Sequence, residues 1–139
     1  MFKKILIAND GSEGAARALS AAISLAKQHG ADLHMISVEE MPRFPASVDE
    51  VVEEKLDANH RYESVVTRAA AQAKAQGITL ETHILPGHAV ATIVEFVVRE
   101  HFDLLVVGYM GHTALYNRLI GGTTDRLVEH APCNVLVIK

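Results

Sequence analysis

Short apolar segments alternate with segments of helical periodicity along the whole chain, and this alternation restricts the fold more than any other feature. The five apolar segments span residues 5–8, 33–38, 78–85, 104–107 and 134–138. After the first of them, apolar residues recur every three or four positions, which is the spacing of one helix face: Ala15, Ala18, Leu19, Ala22, Ile23 and Ala26. Strands that alternate with helices predict an α/β fold, in which a doubly wound five-stranded parallel sheet carries helices on both faces.

Glycine and proline residues between these segments predict where helices end. Gly30 and Gly77 each follow a helical pattern and are typical of C-caps. Residues 39–50 contain two prolines and are predicted to form a loop of about a dozen residues, a length that is often functional in a compact domain. Pro86 to His88 is predicted to turn the chain into a third helix, and Pro132 to end the last one.

Composition limits the class of protein. The chain has 139 residues, the length of one domain over residues 1–139, and 49% of them are hydrophobic. The formal net charge of −4 and the absence of a Lys/Arg run argue against a nucleic-acid partner. We find no signal peptide and no membrane span, and the single cysteine forms no internal disulfide, so we expect a cytoplasmic protein.

Ligands of doubly wound sheets bind at the carboxyl ends of strands, where the strand order reverses. At the carboxyl end of strand 1, the predicted loop has the sequence Asn9-Asp10-Gly11-Ser12. In the simplest interpretation, Asp10 and Ser12 only cap the following helix. In the functional interpretation, Asp10 also faces a ligand or a Mg²⁺ ion.

The loop after strand 4 is rich in glycine. Gly108 and Gly111 are followed, after nine residues, by Gly121-Gly122-Thr123-Thr124, which open the last helix. Strand, glycine loop and helix together can surround a phosphate with backbone N–H groups, and the two threonines can add hydroxyls. The alternative is two separate turns, one after a strand and one before a helix.

Other motifs of nucleotide enzymes are absent. The chain has neither G-x-x-x-x-G-K-[ST] nor a G-x-G-x-x-G after strand 1. Its eight histidines show no metal-ligand spacing, and only His112 stands out because it lies inside the glycine loop. Cys133 follows a proline at the start of an apolar segment, where an inert core thiol is the favoured interpretation. We identify no catalytic residue.

The chain resembles the universal stress protein family over essentially its full length. The resemblance rests on residues 5–12, on residues 104–108 with the glycine loop, and on residues 130–137. Gly108, Gly111 and Gly121 stand at the spacing of the ATP-binding branch, which has G, two residues, G, nine residues, then G and a Ser or Thr. The resemblance implies a Rossmann-like sheet in the order 3-2-1-4-5.

The resemblance also implies a site for an adenine nucleotide, ATP or AMP, with Mg²⁺ as a possible companion. Asp10 matches the acidic residue near the nucleotide, Val38 the position whose backbone meets the adenine, and the three glycines the phosphate and ribose loop. Met110 and His112 flank those glycines as weaker candidates. Gly122 departs from the pattern, because the hydroxyl expected there arrives one residue later, at Thr123.

Three functions remain open at this point. The first is an ATP-binding regulatory protein of the stress response. The second is an enzyme that uses the same pocket, at most a slow ATPase, because no general base is evident near the phosphates. The third is a nucleotide-free dimeric interaction module. In each case the family implies a homodimer through the apolar last strand, residues 134–138.

Overall fold

The computed structural model describes residues 1–40, 48–109 and 122–139, and for residues 48–59 it describes the backbone alone. Its nine elements are β1 (Lys4–Ala8), α1 (Glu13–His29), β2 (Asp32–Glu40), α2 (Val48–Ala75), β3 (Leu80–Gly87), α3 (Ala89–Glu100), β4 (Leu104–Gly108), α4 (Thr123–His130) and β5 (Asn134–Ile138).

The five strands form one parallel sheet in the order β3-β2-β1-β4-β5, which confirms the predicted fold and strand order. The chain first winds outward from β1 through β2 to β3, then returns to the other side of β1 with β4 and β5. The loops that follow β1 and β4 therefore lie side by side, at the point where the winding reverses.

Each face of the sheet packs against its own pair of helices. Ile5 and Ile7 point to the face covered by α1 and α2, whereas Leu6 between them points to the face covered by α3 and α4. All three side chains are fully buried. A strand covered on both faces needs apolar residues at every position, which explains the continuous apolar run of β1.

Helix α1 agrees closely with its sequence signals. The six residues predicted to form its apolar face are all buried. Gly30 takes the left-handed conformation, with φ of 64°, and its N–H donates to the Ala26 carbonyl. Helix α3 ends in the same conformation at His101, with φ of 59°, which is the one non-glycine residue with positive φ in the described ranges.

The predicted loop over residues 39–50 is wrong at both ends. Strand β2 continues through Glu40 because β3 stays beside it as far as Gly87, and α2 already begins at Val48. Pro86, predicted in a turn, pairs with Glu39 instead. Proline is tolerated there because β3 is an edge strand and needs ladder bonds on one side only. Residues 41–47 lie outside the described part of the chain.

None of the helices among the described residues combines the length and the apolar character that crossing a membrane requires.

Candidate functional site

The loop between β1 and α1 is held against β2 by hydrogen bonds of Asn9. Its backbone N–H donates to the Ile36 carbonyl at 2.9 Å, and its side-chain Oδ1 accepts from the Gly11 N–H at 2.9 Å. The buried Ser37 hydroxyl donates to the Asn9 carbonyl at 2.7 Å. Sequence reasoning assigned no role to Asn9 or Ser37. Together they set the position of the residue that follows, Asp10.

Asp10 and Ser12 have different local roles. The Ser12 hydroxyl accepts from the Ala15 N–H at 3.2 Å and caps α1, as predicted. Asp10 accepts from the Ser12 N–H through Oδ1 at 2.9 Å, which shapes the turn before the helix. The Asp10 side chain remains exposed, at the carboxyl end of β1. It is therefore accessible to a ligand in the way the functional interpretation requires.

Gly108, at the end of β4, lies directly against the first turn of α1. A Cβ placed on Gly108 would come within 2.6 Å of the Gly14 carbonyl oxygen and 2.9 Å of the Ala15 nitrogen. A Cβ on Gly14 would lie 2.8 Å from the Tyr109 carbonyl oxygen. The two glycines thus permit a close approach of strand and helix backbones, and this role of Gly108 was not part of the sequence prediction.

The described residues at the start of α4 have different local roles. Gly122 is the N-cap and supplies no side-chain cap, and the exposed Thr123 is the first helical residue. The Thr124 hydroxyl donates to the Gly108 carbonyl at 2.8 Å. In this structure that hydroxyl ties α4 to the end of β4, since its one proton is already used. Thr123 and the first N–H groups of α4 stand at the same end of the sheet as Asp10.

Four of the predicted site residues, Met110, Gly111, His112 and Gly121, lie outside the described part of the chain. Their roles remain predictions of the sequence and of the family resemblance.

A cavity of about 410 Å³ opens beside the β1–α1 loop. It has the size of a site for a small organic ligand. Asp10 and Gly11 line one side, and residues of α2 line the other, namely Arg61, Tyr62, Ser64, Val65 and Arg68.

The two arginines of the cavity were missed by sequence reasoning. Arg61 and Arg68 are seven positions apart and so lie on one face of α2. The Arg61 guanidinium carbon lies 4.7 Å from the centre of the Tyr62 ring. Burial raises the pKa of the Tyr62 hydroxyl, although the Arg61 charge acts in the opposite direction. The site therefore combines one exposed carboxylate with two cations.

The end of β2 completes this edge of the sheet. The Ile36 carbonyl accepts from the Asn9 N–H and so points toward β1. Backbone groups two residues apart on a strand point in the same direction, so the N–H and C=O of Val38 also point toward the β1 side, level with the β1–α1 loop. Glu39 follows, and only 5% of its surface is exposed. Its Oε2 is buried without a hydrogen-bond partner among the described residues.

Glu40 joins β2 to the start of α3. Its Oε1 accepts from the Ala89 N–H at 3.2 Å, and its Oε2 lies 3.9 Å from Nδ1 of His88. His88 is the N-cap of α3 and makes no cap bond with its own side chain. Glu40 therefore takes over the capping of α3.

Cys133 lies away from these groups, next to β5. It is half-buried, and burial raises the pKa of its thiol. A thiol with a raised pKa forms less thiolate at neutral pH, which agrees with the expectation of an inert residue.

Fold and site together define a doubly wound α/β domain with a cavity between its β1–α1 loop and α2. The sequence model of the universal stress protein family matches residues 1–139. This chain belongs to the universal stress protein family. It is 32% identical to a universal stress protein of Methanocaldococcus jannaschii, covering 100% of this chain and 83% of that protein. It is also 32% identical to one of Thermus aquaticus, with 100% of both chains covered.

Solved structures agree with this assignment. The universal stress protein UspA of Lactobacillus plantarum superposes with a TM-score of 0.89 at 29% identity, covering 99% of this chain and 98% of that one. A universal stress protein in complex with cAMP superposes at 0.80 with 23% identity, and an Arabidopsis thaliana member with AMP bound at 0.71 with 20% identity. They cover 99% of this chain, and 97% and 91% of their own. At these identities the two complexes show the shared fold.

Proposed function

We propose that this protein is a cytoplasmic regulatory protein that binds an adenine nucleotide, ATP or AMP, at the carboxyl ends of β1, β2 and β4. The observation that carries the proposal is the meeting of the β1–α1 loop with the end of β4, beside a cavity of about 410 Å³ that has Asp10 on one side and two arginines on the other. The complexes of related proteins with cAMP and AMP support the choice of an adenine nucleotide.

The groups at this edge match the parts of a nucleotide. The backbone of Val38 offers one donor and one acceptor in a fixed direction, which suits the edge of an adenine. Arg61 and Arg68 supply cations for phosphate oxygens. The first N–H groups of α4, behind Gly122, add donors at a helix N-terminus. We expect Gly111 and Gly121 to extend this cradle, as the family spacing implies.

Asp10 suits a role beside the sugar or a bound cation. Its carboxylate is exposed, and Oδ1 is oriented by the Ser12 N–H. A carboxylate near phosphates needs a cation between them, and Mg²⁺ commonly joins one carboxylate to the phosphates of a nucleotide. Binding of ATP is therefore expected to be stronger with Mg²⁺ than without it, whereas binding of AMP responds less.

Replacing Asp10 tests the site directly. Asp10→Asn keeps an oxygen for the Ser12 N–H but removes the charge, so the turn is preserved while ligand contacts weaken. We expect the Kd for Mg-ATP in equilibrium dialysis to rise about tenfold or more, the range of a lost hydrogen bond to a charged group. Native mass spectrometry of the freshly purified protein would report bound nucleotide in the same samples.

A matched control is Asp32→Asn, which removes an exposed carboxylate at the amino end of β2. It is expected to leave the Kd unchanged. A wild-type chain that binds neither ATP nor AMP at millimolar concentration would overturn the proposal. Equal affinities in Asp10→Asn and the wild type would remove Asp10 from the site. Phosphate release that depends on Asp10 would favour the slow ATPase instead.

We also propose a homodimer formed through β5. This strand is one edge of the sheet, and four of its five residues are half-buried apolar side chains. An apolar edge strand favours pairing with a second copy because, within the described part of the chain, no strand lies beside its outer N–H and C=O groups. Light scattering at micromolar concentration is expected to give twice the chain mass of 15.1 kDa. Val137→Lys on this strand should shift the protein toward a monomer, and a monomeric wild type would contradict the proposal.

A further inference from the structure

Two histidines and a glutamate meet on the outer strands of the sheet, away from the nucleotide cavity. His34 lies on β2, directly opposite Glu81 of β3, and His83 stands two positions further along β3. Residues two apart on a strand project from the same face, so all three side chains lie together. The histidine spacing in the sequence did not predict this, since positions 34 and 83 are brought together only by the pairing of β2 with β3.

The ligand atoms of these residues are already close. Nδ1 of His34 lies 3.0 Å from Nε2 of His83 and 3.5 Å from an oxygen of Glu81. One ligand atom from each residue fits within 4.8 Å of the others. Around a tetrahedral Zn²⁺, with bonds of about 2.0–2.2 Å, ligand atoms stand roughly 3.3–3.5 Å apart. The separation of the His34 and Glu81 ligand atoms already falls in this range, and the two histidine nitrogens need to move slightly apart. Rotation of the exposed Glu81 side chain can bring the remaining pair, which lies within 4.8 Å, to the same separation.

Aromatic side chains hold both imidazoles in place. The His34 ring meets Phe102 edge to face at 5.1 Å between centres, and the His83 ring lies 4.7 Å from Phe96. The two phenylalanines also contact each other, at 5.4 Å. His34 is buried, whereas Glu81 is exposed over 65% of its side chain. The arrangement combines ligands fixed by packing with one open side, as a metal site requires.

We propose that His34, His83 and Glu81 form a binding site for a divalent transition metal ion, with Zn²⁺ as the best match. Two imidazoles and one carboxylate are a ligand set that zinc uses with water in the fourth position. In the structure the two rings are nearly parallel, at 4°, and share a hydrogen bond between their facing nitrogens. On binding, the donor ring carries its proton on its other nitrogen, so both facing lone pairs are available.

The site is separate from the proposed nucleotide site. His34 stands four residues before Val38 on β2, a distance of roughly 13 Å along the strand, toward its amino end. It also lies on the face of the sheet that α3 covers, because it packs against Phe102 in the cluster around Phe96. The α2 cavity with its arginines lies on the opposite face. Metal binding here does not depend on nucleotide binding.

The test is titration of the chelator-treated full chain with Zn²⁺, in competition with a zinc-responsive dye. We expect one ion per chain with micromolar affinity or tighter, and a higher Tm when Zn²⁺ is present. His83→Gln should weaken binding about 100-fold and Glu81→Gln about tenfold, because each removes one ligand. With Co²⁺ in place of Zn²⁺, the intense visible bands of a tetrahedral site are expected in the wild type and absent in His83→Gln.

His60→Gln is the matched control, since His60 lies 3.6 Å from Glu63 on the surface of α2 without a second histidine in the described contacts. It should leave the affinity for Zn²⁺ unchanged. Glu81→Gln changes an exposed side chain, so it remains informative even if a histidine variant fails to fold. Binding that persists at full strength in Glu81→Gln and His83→Gln would overturn the proposal. Wild-type binding no tighter than millimolar would overturn it as well, and would leave the pair as a hydrogen bond of the core.

Discussion

Gly108→Ala is expected to lower the free energy of unfolding by about 3 kcal/mol, the upper range for overpacking a tight contact. The added Cβ would meet the backbone of α1, 2.6 Å from the Gly14 carbonyl oxygen and 2.9 Å from the Ala15 nitrogen. A flexible side chain could rotate away from such a contact, but helix backbone moves only if α1 shifts as a body. Urea unfolding of variant and wild type, compared at equal m-values, measures the loss.

Two further variants make this result specific. Gly14→Ala should be destabilised for the same reason, because its Cβ would lie 2.8 Å from the Tyr109 carbonyl oxygen. The double variant should lose less than the sum of the two, since one outward movement of α1 relieves both contacts. Gly77→Asn is the control: its φ is 78°, its surroundings are open, and Asn tolerates that conformation. A Gly108→Ala protein within 0.5 kcal/mol of wild type would show that α1 shifts freely, against this expectation.

The contact of Gly108 with α1 also affects nucleotide binding by the glycine loop. A side chain at Gly108 disturbs the packing of α1 against β4. Weak nucleotide binding by a Gly108 variant therefore does not show that Gly108 contacts a phosphate. Asp10 begins the turn into that helix, so movement of α1 also displaces Asp10. The residues that bind nucleotide should therefore be identified with variants of Asp10 and of the glycine loop. The free energy of unfolding of each variant should be measured together with its Kd.

Glu39→Met is expected to raise the free energy of unfolding by about 1–3 kcal/mol. Glu39 is 5% exposed, and its Oε2 has no hydrogen-bond partner among the described residues, which costs free energy in the folded protein. Methionine has a similar length and removes both oxygens. Residues that reduce stability in this way are frequent at binding sites, so we expect the stabilised variant to bind adenine nucleotide more weakly.

Glu39→Gln is the matched comparison, because it keeps the shape and a polar end while changing the carboxylate to an amide. We expect its stability to lie between those of wild type and Glu39→Met. Urea unfolding and equilibrium dialysis with AMP measure the two effects in the same preparations. A Glu39→Met protein less stable than wild type would show that the carboxylate already contributes a favourable contact.

Local signals predicted much of the fold. The face of α1 was correct at all six positions because periodicity reports which side of a helix meets the core, whatever the neighbouring element is. Gly30 was correct as a C-cap because the left-handed conformation is a local requirement. His101 also takes the left-handed conformation although it is not a glycine, and no local sequence signal predicted this.

The features that the sequence did not predict depend on contacts between segments that are far apart in the chain. Strand β2 continues to Glu40 because β3 runs beside it, and Pro86 joins β3 because that strand is an edge. The Thr124 hydroxyl donates a hydrogen bond to the Gly108 carbonyl, 16 positions away in sequence, and the sequence did not predict this contact. Arg61 and Arg68 line the cavity because α2 lies beside the β1–α1 loop. Each of these contacts joins residues whose spacing in the chain carries no periodic signal.

The sequence by itself determined the alternation of strands and helices, the apolar faces, the family, and the two loops that flank the reversal of the winding. The tertiary structure alone decided that Gly108 serves the packing of α1 and that His34 meets His83. It also decided that Oε2 of Glu39 is buried without a hydrogen-bond partner among the described residues. The physical reason is the range of the forces involved. Periodicity and capping act within a few residues of one element, whereas close backbone approach, burial and side-chain clusters exist only once separate elements pack together.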